Sequence, residues 1–184
     1  YEAGTRLIAE IKDEIMYLES IINAIDIATT ENDLNNIKDE LAVTGYIKRS
    51  GKSKSKGNTH NKPMHYVSSD GFDIYVGKNN IQNDELTFKF ATGGDWWFHA
   101  KQMPGSHVIV KTEGKELPDK TFEEAAALAA YYSKGRDLEK VEVDYVLKKE
   151  VKKPAGAKPG FVVYYTNYSL IAIADISGIR LISG

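Results

Sequence analysis

The sequence predicts an α+β fold in which an N-terminal helical hairpin, a coiled-coil fragment, precedes a mixed, mostly antiparallel sheet with about two helices. The first observation is an apolar repeat with helical spacing in residues 4–44. The second is a series of short β-like runs, separated by turn signals, after residue 64. Because the two kinds of run are segregated along the chain, they favour the α+β class. We divide the chain into a hairpin (1–45), a flexible basic linker (46–63) and an α+β domain (64–184).

The composition excludes several classes of protein. The 184 residues include no cysteine, which excludes disulfides, thiolate metal sites and a cysteine nucleophile. No stretch approaches the roughly 18 consecutive apolar residues of a membrane span, and no signal peptide opens the chain. We therefore expect a cytoplasmic location. The chain does not begin with Met, and we interpret it as a fragment of a longer protein.

Residues 4–28 predict a long helix, because large apolar residues recur at alternating spacings of three and four, as in the a/d seam of a coiled coil. This isoleucine seam consists of Ile8, Ile11, Ile15, Leu18, Ile22 and Ile25. Thr30 and Asp33 predict the capping box of a second helix, and Gly45 predicts its end. We expect the two helices to pack against each other.

The second helix carries a shorter apolar seam, at Leu34, Ile37 and Leu41, which covers about half of the first. The rest of the isoleucine seam has no partner within the hairpin. We therefore expect some self-association through the stretch from Ile8 to Ile25.

Charge is distributed unevenly along the chain. Residues 1–44 hold ten acidic and three basic residues, net −7, whereas residues 45–184 hold sixteen and twenty-one, net +5. Residues 41–69 contain no Asp or Glu but six cations, at Lys48, Arg49, Lys52, Lys54, Lys56 and Lys62. A mobile basic segment attracts polyanions such as RNA. A solubilising linker without a partner is an equally good interpretation.

The second half predicts short strands and two helices. Residues 65–67 and 72–76 form a hairpin around the turn at 68–71, and a short helix covers 79–90. Strands are predicted at 96–100, 106–111 and 141–147, followed by a last hairpin of 161–166 and 169–175. The Ala-rich stretch 121–133 predicts a helix with Thr121 as its N-cap, Glu124 completing a capping box and Gly135 at its end.

The densest group of chemically distinctive residues lies between Gly93 and His107, where both tryptophans and two of the four histidines occur. Because neighbours in a strand point to opposite faces, Trp96 and Phe98 share one face, and Trp97 and His99 the other. We expect one pair to fill the core and the other to face a partner. Exposed aromatic rings near histidine and lysine suit base stacking in RNA. Core packing of most of these rings is the commoner alternative.

Catalytic and metal sites are not supported. Zinc needs three or four ligands at defined spacing, and only His60 and His65 remain beside His99 and His107. Ser106 and His107 are adjacent and diverge in a strand, which does not make a catalytic triad. Nucleotide-binding glycine motifs are absent from the sequence. We therefore expect a protein that is not an enzyme and carries no metal or cofactor.

A second basic stretch follows the strand predicted at 141–147 and runs through a loop rich in proline and glycine. Its five lysines are Lys148, Lys149, Lys152, Lys153 and Lys158. Two basic segments in one half of the chain favour polyanion binding. A solvated connector is the alternative.

The residues of this half resemble the NFACT-R domain of the NFACT family. The similar stretches are 66–80, 83–87, 95–107, 151–154 and 157–160, and the resemblance covers about residues 64–182. Upstream, short stretches around Tyr17, Glu40 and Gly45 resemble the end of the coiled-coil arm of the same family.

The resemblance implies a ribosome-quality-control factor that binds the large ribosomal subunit through its arm and recruits tRNA, so that alanine tails are added to stalled chains. Together with the aromatic and histidine residues and the two basic stretches, it predicts a non-catalytic RNA-binding surface with Asp95, Trp97, His99, Ser106 and His107 at its centre and the five lysines on phosphates. Some members of the family are described as fibronectin-binding adhesins at the cell surface, without a classical signal peptide. Fibronectin binding is the alternative function.

Overall fold

A computed structural model describes residues 2–48 and 61–184. The chain begins with helix α1 (Glu2–Ile27) and helix α2 (Glu31–Val43), as predicted. Thr30 caps α2: its side chain accepts a hydrogen bond from the Asp33 N–H (3.1 Å), and the Asp33 carboxylate accepts one from the Thr30 N–H (3.1 Å). Gly45 follows the helix with φ of +86°, a conformation that favours glycine. The predicted capping box and helix stop are confirmed.

Seven strands form one sheet in the order β6-β5-β3-β4-β2-β1-β7. They are β1 (Met64–Val67), β2 (Asp73–Val76), β3 (Trp96–Ala100), β4 (Val108–Val110), β5 (Val141–Leu147), β6 (Tyr168–Ala172) and β7 (Arg180–Ser183). Every pairing between these strands is antiparallel. The predicted α+β class is confirmed, and so are the hairpin of β1 and β2 and the positions of β3 and β5.

Helices cover both faces of this sheet. The helix predicted at 79–90 consists of α3 (Asn80–Glu85) and a π-helical turn (Leu86–Phe90). The Ala-rich helix α4 (Asp119–Tyr131) packs on the opposite face.

The predicted ends of α4 are wrong. Its N-cap position is Pro118, so that Thr121 lies inside the first turn. The Thr121 hydroxyl instead bonds to the side chains of Ser68 (3.0 Å) and Asp70 (2.8 Å). Glu124 accepts a hydrogen bond from the Ser69 N–H (2.9 Å). The residues that resemble a capping box therefore attach α4 to the turn between β1 and β2, because long-range partners compete with the local backbone.

The predicted last hairpin is also wrong. Residues 161–166 lie across the face of the sheet opposite α4 and make only one isolated bridge, between Lys152 and Val163. Strand β6 pairs with β5, and β7, which the sequence did not predict, pairs with β1 at the far edge. The apolar residues of 161–166 cover a sheet face rather than extend the sheet.

Alanine dominates α4 because both of its sides are packed. Ala125, Ala126, Ala129 and Ala130 are fully buried in the core, against sheet residues such as Phe98. Between β6 and β7 the chain must cross from one sheet edge to the other, and Ala174, Ile176 and Ile179 of this crossing belong to the same core. The small alanine side chains allow α4 to pack closely against its neighbours in this core.

The opposite face of the sheet has its own apolar core. Trp97, Ile109 and Val146 are covered there by Leu86 and Val151, with Tyr164 at the margin. Burial of both faces explains why β4 is apolar without alternation, with Val108, Ile109 and Val110 all fully buried.

The hairpin does not bury the isoleucine seam. Helix α2 packs on a neighbouring face of α1, where Tyr17, Ile21 and Ala24 are buried together with Ile37. The seam residues remain 38–58% exposed. The expectation that this seam forms the contact between the two helices is therefore wrong, since the Tyr17 face contacts both α2 and the α+β domain.

Four of the linker cations predicted to bind polyanions, Arg49, Lys52, Lys54 and Lys56, lie outside the described residues. Lys48 and Lys62, at the two ends of the linker, are exposed. In the part of the chain that the structure describes, no helix has both the length and the apolar character that a bilayer crossing requires.

The exposed isoleucine seam predicts weak self-association. We expect a concentration-dependent dimer in sedimentation equilibrium, and we expect the double variant Ile11→Gln, Ile15→Gln to remain monomeric, because it removes apolar area from the seam. Lys12→Gln with Asp13→Gln is the matched control, since it leaves the net charge and the seam unchanged. A wild-type protein that is monomeric at high concentration would contradict this prediction.

Candidate nucleic-acid interface

Asp95 organises the end of the sheet where β3 begins and β4 ends. One carboxylate oxygen accepts hydrogen bonds from the N–H (2.7 Å) and hydroxyl (3.0 Å) of Thr92 and pairs with the Lys111 ammonium. The other accepts from the Thr112 N–H (3.0 Å). Burial favours a raised pKa for this carboxyl, but Lys111 and the N–H donors outweigh burial and hold its pKa below the ordinary value. Asp95 is therefore a charged, buried brace, 1% exposed.

Several lysines lie near Asp95. The backbone N–H of Lys148 donates to the Asp95 carbonyl (2.8 Å) and that of Lys149 to the Gly93 carbonyl (3.3 Å), so both residues lie at the same end of the sheet. The Nζ of Lys152 donates to the Lys149 carbonyl (2.9 Å). We name as the basic corner the set Lys89, Lys111, Lys148, Lys149 and Lys152.

Aromatic rings of the π-helical turn line this basic corner. The Lys148 ammonium lies 5.6 Å from the centre of the Phe88 ring, and the Lys111 ammonium lies 5.0 Å from that of Phe90. Phe90 is 44% exposed, and the side chain of Lys89 beside it is 79% exposed. Exposed cations interleaved with an accessible aromatic ring suit a single-stranded nucleic acid.

The predicted aromatic centre is buried. Trp97 is 1% exposed, stacks on His99 with ring centres 5.6 Å apart and contacts the His107 ring at 5.2 Å. The expectation that one face of β3 is open to a partner is wrong, because Leu86 and Val151 cover this face. Among the described residues, the indole N–H of Trp97 is a buried donor without a hydrogen-bond partner.

His107 is fixed in one neutral tautomer. Its Nε2 lies 3.1 Å from the Gly160 carbonyl, which only accepts, so Nε2 carries the proton and Nδ1 accepts from the Thr87 hydroxyl (2.8 Å). Burial first, and then the neighbouring His99, lower the pKa of His107 well below its usual value. His107 therefore attaches the loop at Gly160 to the π-helical turn.

His99 and Ser106 complete the predicted centre. His99 is half-buried, and burial lowers its pKa. Across from it on β5, Asp144 accepts hydrogen bonds from the hydroxyls of Tyr164 (2.8 Å) and Ser169 (2.6 Å). Ser106 is buried, and its N–H donates to the Tyr132 carbonyl (3.0 Å).

The five lysines of the second basic stretch divide into two groups. Lys148 is half-buried, and Lys149 and Lys152 are exposed. Lys153 is held by Asp84 (2.9 Å) and by the carbonyls of Lys158 and Phe161. Lys158 contacts Tyr17 of the hairpin and Tyr46, which directly follows the hairpin. Of these five lysines, only Lys148, Lys149 and Lys152 belong to the basic corner.

Several accessible residues were missed from the sequence. Lys89 and Phe90 belong to a Phe-Lys-Phe run whose alternating pattern could have identified them. Tyr165, 88% exposed, and Phe161, 45% exposed, follow the second basic stretch. No sequence signal identifies Lys111, which reaches Asp95 through the register of β3 and β4. In the described ranges, no three His, Asp or Glu side chains are grouped as a metal ion requires.

Comparison with known proteins gives two family matches. Residues 62–166 match NFACT-R, described as the NFACT protein RNA binding domain. Residues 1–60 match the NFACT N-terminal and middle domains.

Similar proteins include two bacterial relatives that share the name Rqc2 homolog RqcH. The Rqc2 homolog RqcH of Streptococcus suis is 47% identical over 161 residues, which cover 87% of this chain and 28% of the relative. RqcH of Bacillus subtilis is 39% identical over 166 residues, covering 89% of this chain and 29% of the relative. The chain thus spans less than a third of the length of these curated relatives.

A solved structure shares the fold. It is the C-terminal part of the fibronectin/fibrinogen-binding protein of Streptococcus suis, with a TM-score of 0.87 and 43% sequence identity. The match covers 96% of this chain and 70% of that chain.

The Asp95 brace predicts a specific loss of stability. We expect Asp95→Asn to cost about 3 kcal/mol at neutral pH, because the half-buried Lys111 ammonium loses the buried carboxylate that it pairs with. Since the native pKa of Asp95 is depressed, this contribution is present above about pH 4 and is lost as the pH falls through the native pKa. Urea unfolding at pH 7 and pH 3 measures both effects.

Asp137→Asn, at an exposed position, is the matched control. An unfolding free energy of Asp95→Asn equal to that of the control at pH 7 would contradict the assignment of Asp95 as a brace.

Proposed function

Because the chain belongs to the NFACT family, we propose that it is a non-catalytic RNA-binding module of a cytoplasmic ribosome-quality-control factor. Its RNA partners in this proposal are tRNA and the large ribosomal subunit, and the longer protein supports alanine tailing of stalled chains. The observation that carries the proposal is the basic corner, which lies within the part of the chain that matches the RNA-binding domain.

The charges of the basic corner favour a polyanion. Lys149 and Lys152 are exposed, and Lys148 and Lys149 lie on one short helical turn after β5. Neutralising phosphates with such lysines releases condensed counterions, which supplies most of the sequence-independent affinity for nucleic acid. We assign phosphate contacts to these three lysines.

The aromatic residues divide between contact and support. Phe90 and Tyr165 have exposed rings, and we assign base stacking to them. Trp97 and His107 have almost no exposed surface. In this proposal they support the interface together with Asp95, His99 and Ser106, by fixing the strand ends and the loops that carry the contacting side chains.

Salt-dependent RNA binding tests the proposal. We expect Lys148→Ala, Lys149→Ala and Lys152→Ala together to weaken tRNA binding at least tenfold, with a slope of log Kd against log salt that is lower by about 2, because each phosphate contact contributes roughly 0.7–0.9. Fluorescence anisotropy of labelled tRNA across a salt series measures both quantities.

Two further variants make the result specific. Lys38→Ala, Lys120→Ala and Lys140→Ala together remove the same charge from exposed positions elsewhere and should leave most of the affinity. Replacing Arg49, Lys52, Lys54 and Lys56 by serine measures the contribution of the linker. Equal losses of tRNA affinity in the two lysine triplets would refute the basic corner as the RNA site. Absence of tRNA binding at low salt would refute the proposed RNA-binding function.

The second candidate function is fibronectin binding, favoured by the likeness to the Streptococcus suis fibronectin/fibrinogen-binding protein. An adhesin function requires display at the cell surface. It predicts saturable binding to immobilised fibronectin in moderate salt, unaffected by competing tRNA. Surface plasmon resonance measures this binding. Binding that disappears at moderate salt or is displaced by tRNA would contradict the adhesin function and indicate nonspecific charge attraction.

A further inference from the structure

Lys158 joins the α+β domain to the helical hairpin through aromatic rings. Its ammonium donates to the Tyr46 hydroxyl (3.0 Å) and lies 4.9 Å from the centre of the Tyr17 ring. The Tyr17 and Tyr46 rings stack 5.7 Å apart. A cation held against two aromatic rings is well stabilised. The side chain is thus directed to the hairpin.

A buried carboxylate continues this contact on the hairpin side. Glu40 of α2 is fully buried, and one of its oxygens accepts hydrogen bonds from the Tyr17 hydroxyl (2.9 Å) and the Asn80 amide (3.0 Å). The same Asn80 amide donates to the Ser20 hydroxyl (2.8 Å). Side chains from α1, α2 and α3 therefore converge beside Lys158. Such a buried polar network is stable only in a narrow range of geometries.

The loop that carries Lys158 is itself fixed to the α+β domain. Lys153 binds Asp84 (2.9 Å) and the carbonyl of Lys158 (2.6 Å). The Gly160 carbonyl accepts from His107, and a Cβ at Gly160 would lie 2.5 Å from the Asn80 amide oxygen. Lys158 therefore projects from a rigid support.

Additional contacts restrict the hairpin in the same orientation. The Lys78 ammonium lies 3.5 Å from the Asp33 carboxylate, and both side chains are buried. The Asn23 amide donates to the Tyr132 carbonyl (3.2 Å). Ile27, at the end of α1, belongs to the core that α4 fills.

We propose that Lys158 is a positioning residue that locks the helical hairpin onto the α+β domain, so that the hairpin and the basic corner are presented as one rigid body. The proposal assigns Lys158 to the orientation of the hairpin and not to RNA phosphates. The inference does not rest on the proposed function, since it concerns contacts within the chain.

Distance measurements between spin labels test this inference. The chain has no cysteine, so Asp13→Cys on α1 and Lys140→Cys before β5 place two labels specifically. Double electron–electron resonance should give one narrow distance distribution for this labelled protein. Lys158→Met removes the charge but keeps most of the side-chain volume, and we expect it to widen the distribution at least twofold.

Controls separate the role of the charge from general damage. Lys158→Arg retains a cation and a donor and should restore a narrow distribution. Tyr46→Phe removes only the hydroxyl acceptor and should give an intermediate width, which keeps the inference testable if Lys158→Met does not fold. Lys149→Met, in the basic corner, should leave the distribution unchanged.

Three outcomes would overturn the inference: a broad distribution in the labelled wild-type chain, a narrow one in Lys158→Met, or a Tyr46→Phe width equal to wild type. Binding of tRNA supplies the second readout. We expect less than a twofold change for Lys158→Met and a larger loss for Lys149→Met. Failure of all proteins to bind tRNA would refute the proposed function and leave the distance result standing.

Discussion

Burial of the central sheet on both faces is the constraint on which the rest of this structure depends. Strands β3 and β4 lie in the middle of the sheet, with α4 on one side and the π-helical turn and residues 151–164 on the other. Side chains from both faces of β3 are therefore interior, including Trp97 and Phe98. A partner can reach the strand ends and the covering loops, and this places the basic corner at the start of β3 and the end of β5.

Polar groups inside such a sheet need hydrogen-bond partners, and these hydrogen bonds determine the positions of the loops. The Asp95 carboxylate accepts hydrogen bonds from backbone N–H groups before β3 and after β4. His107 connects the start of β4 to Gly160. The Asn83 amide oxygen accepts from the His107 N–H (3.1 Å), and Gly77 has no side chain because a Cβ there would overlap Asn83. These requirements explain why the most distinctive residues of the sequence are structural supports next to the basic corner.

The same loop serves two neighbouring surfaces. Residues 151–164 cover Trp97, carry Lys152 at the basic corner and hold Lys158 against the hairpin. Lysines close together in sequence thus have different surroundings. Lys153 and Lys158 contact acceptors and aromatic rings of distant segments, whereas Lys149 and Lys152 are exposed.

The sequence by itself determined those features for which local patterns had no competing long-range partner. The capping box of Thr30 and Asp33, the positions of β3 and β5, and the family followed from short patterns, since helix caps and strand alternation are encoded by residues a few positions apart. The tertiary structure alone decided that the isoleucine seam is exposed, that Trp97 is covered and that β7 joins the far edge of the sheet. It also decided that Lys158 contacts the hairpin. The physical reason is that each of these depends on contacts between distant segments: Lys158 meets Tyr46 across 112 positions of sequence, and such a pairing leaves no trace in local spacing or composition.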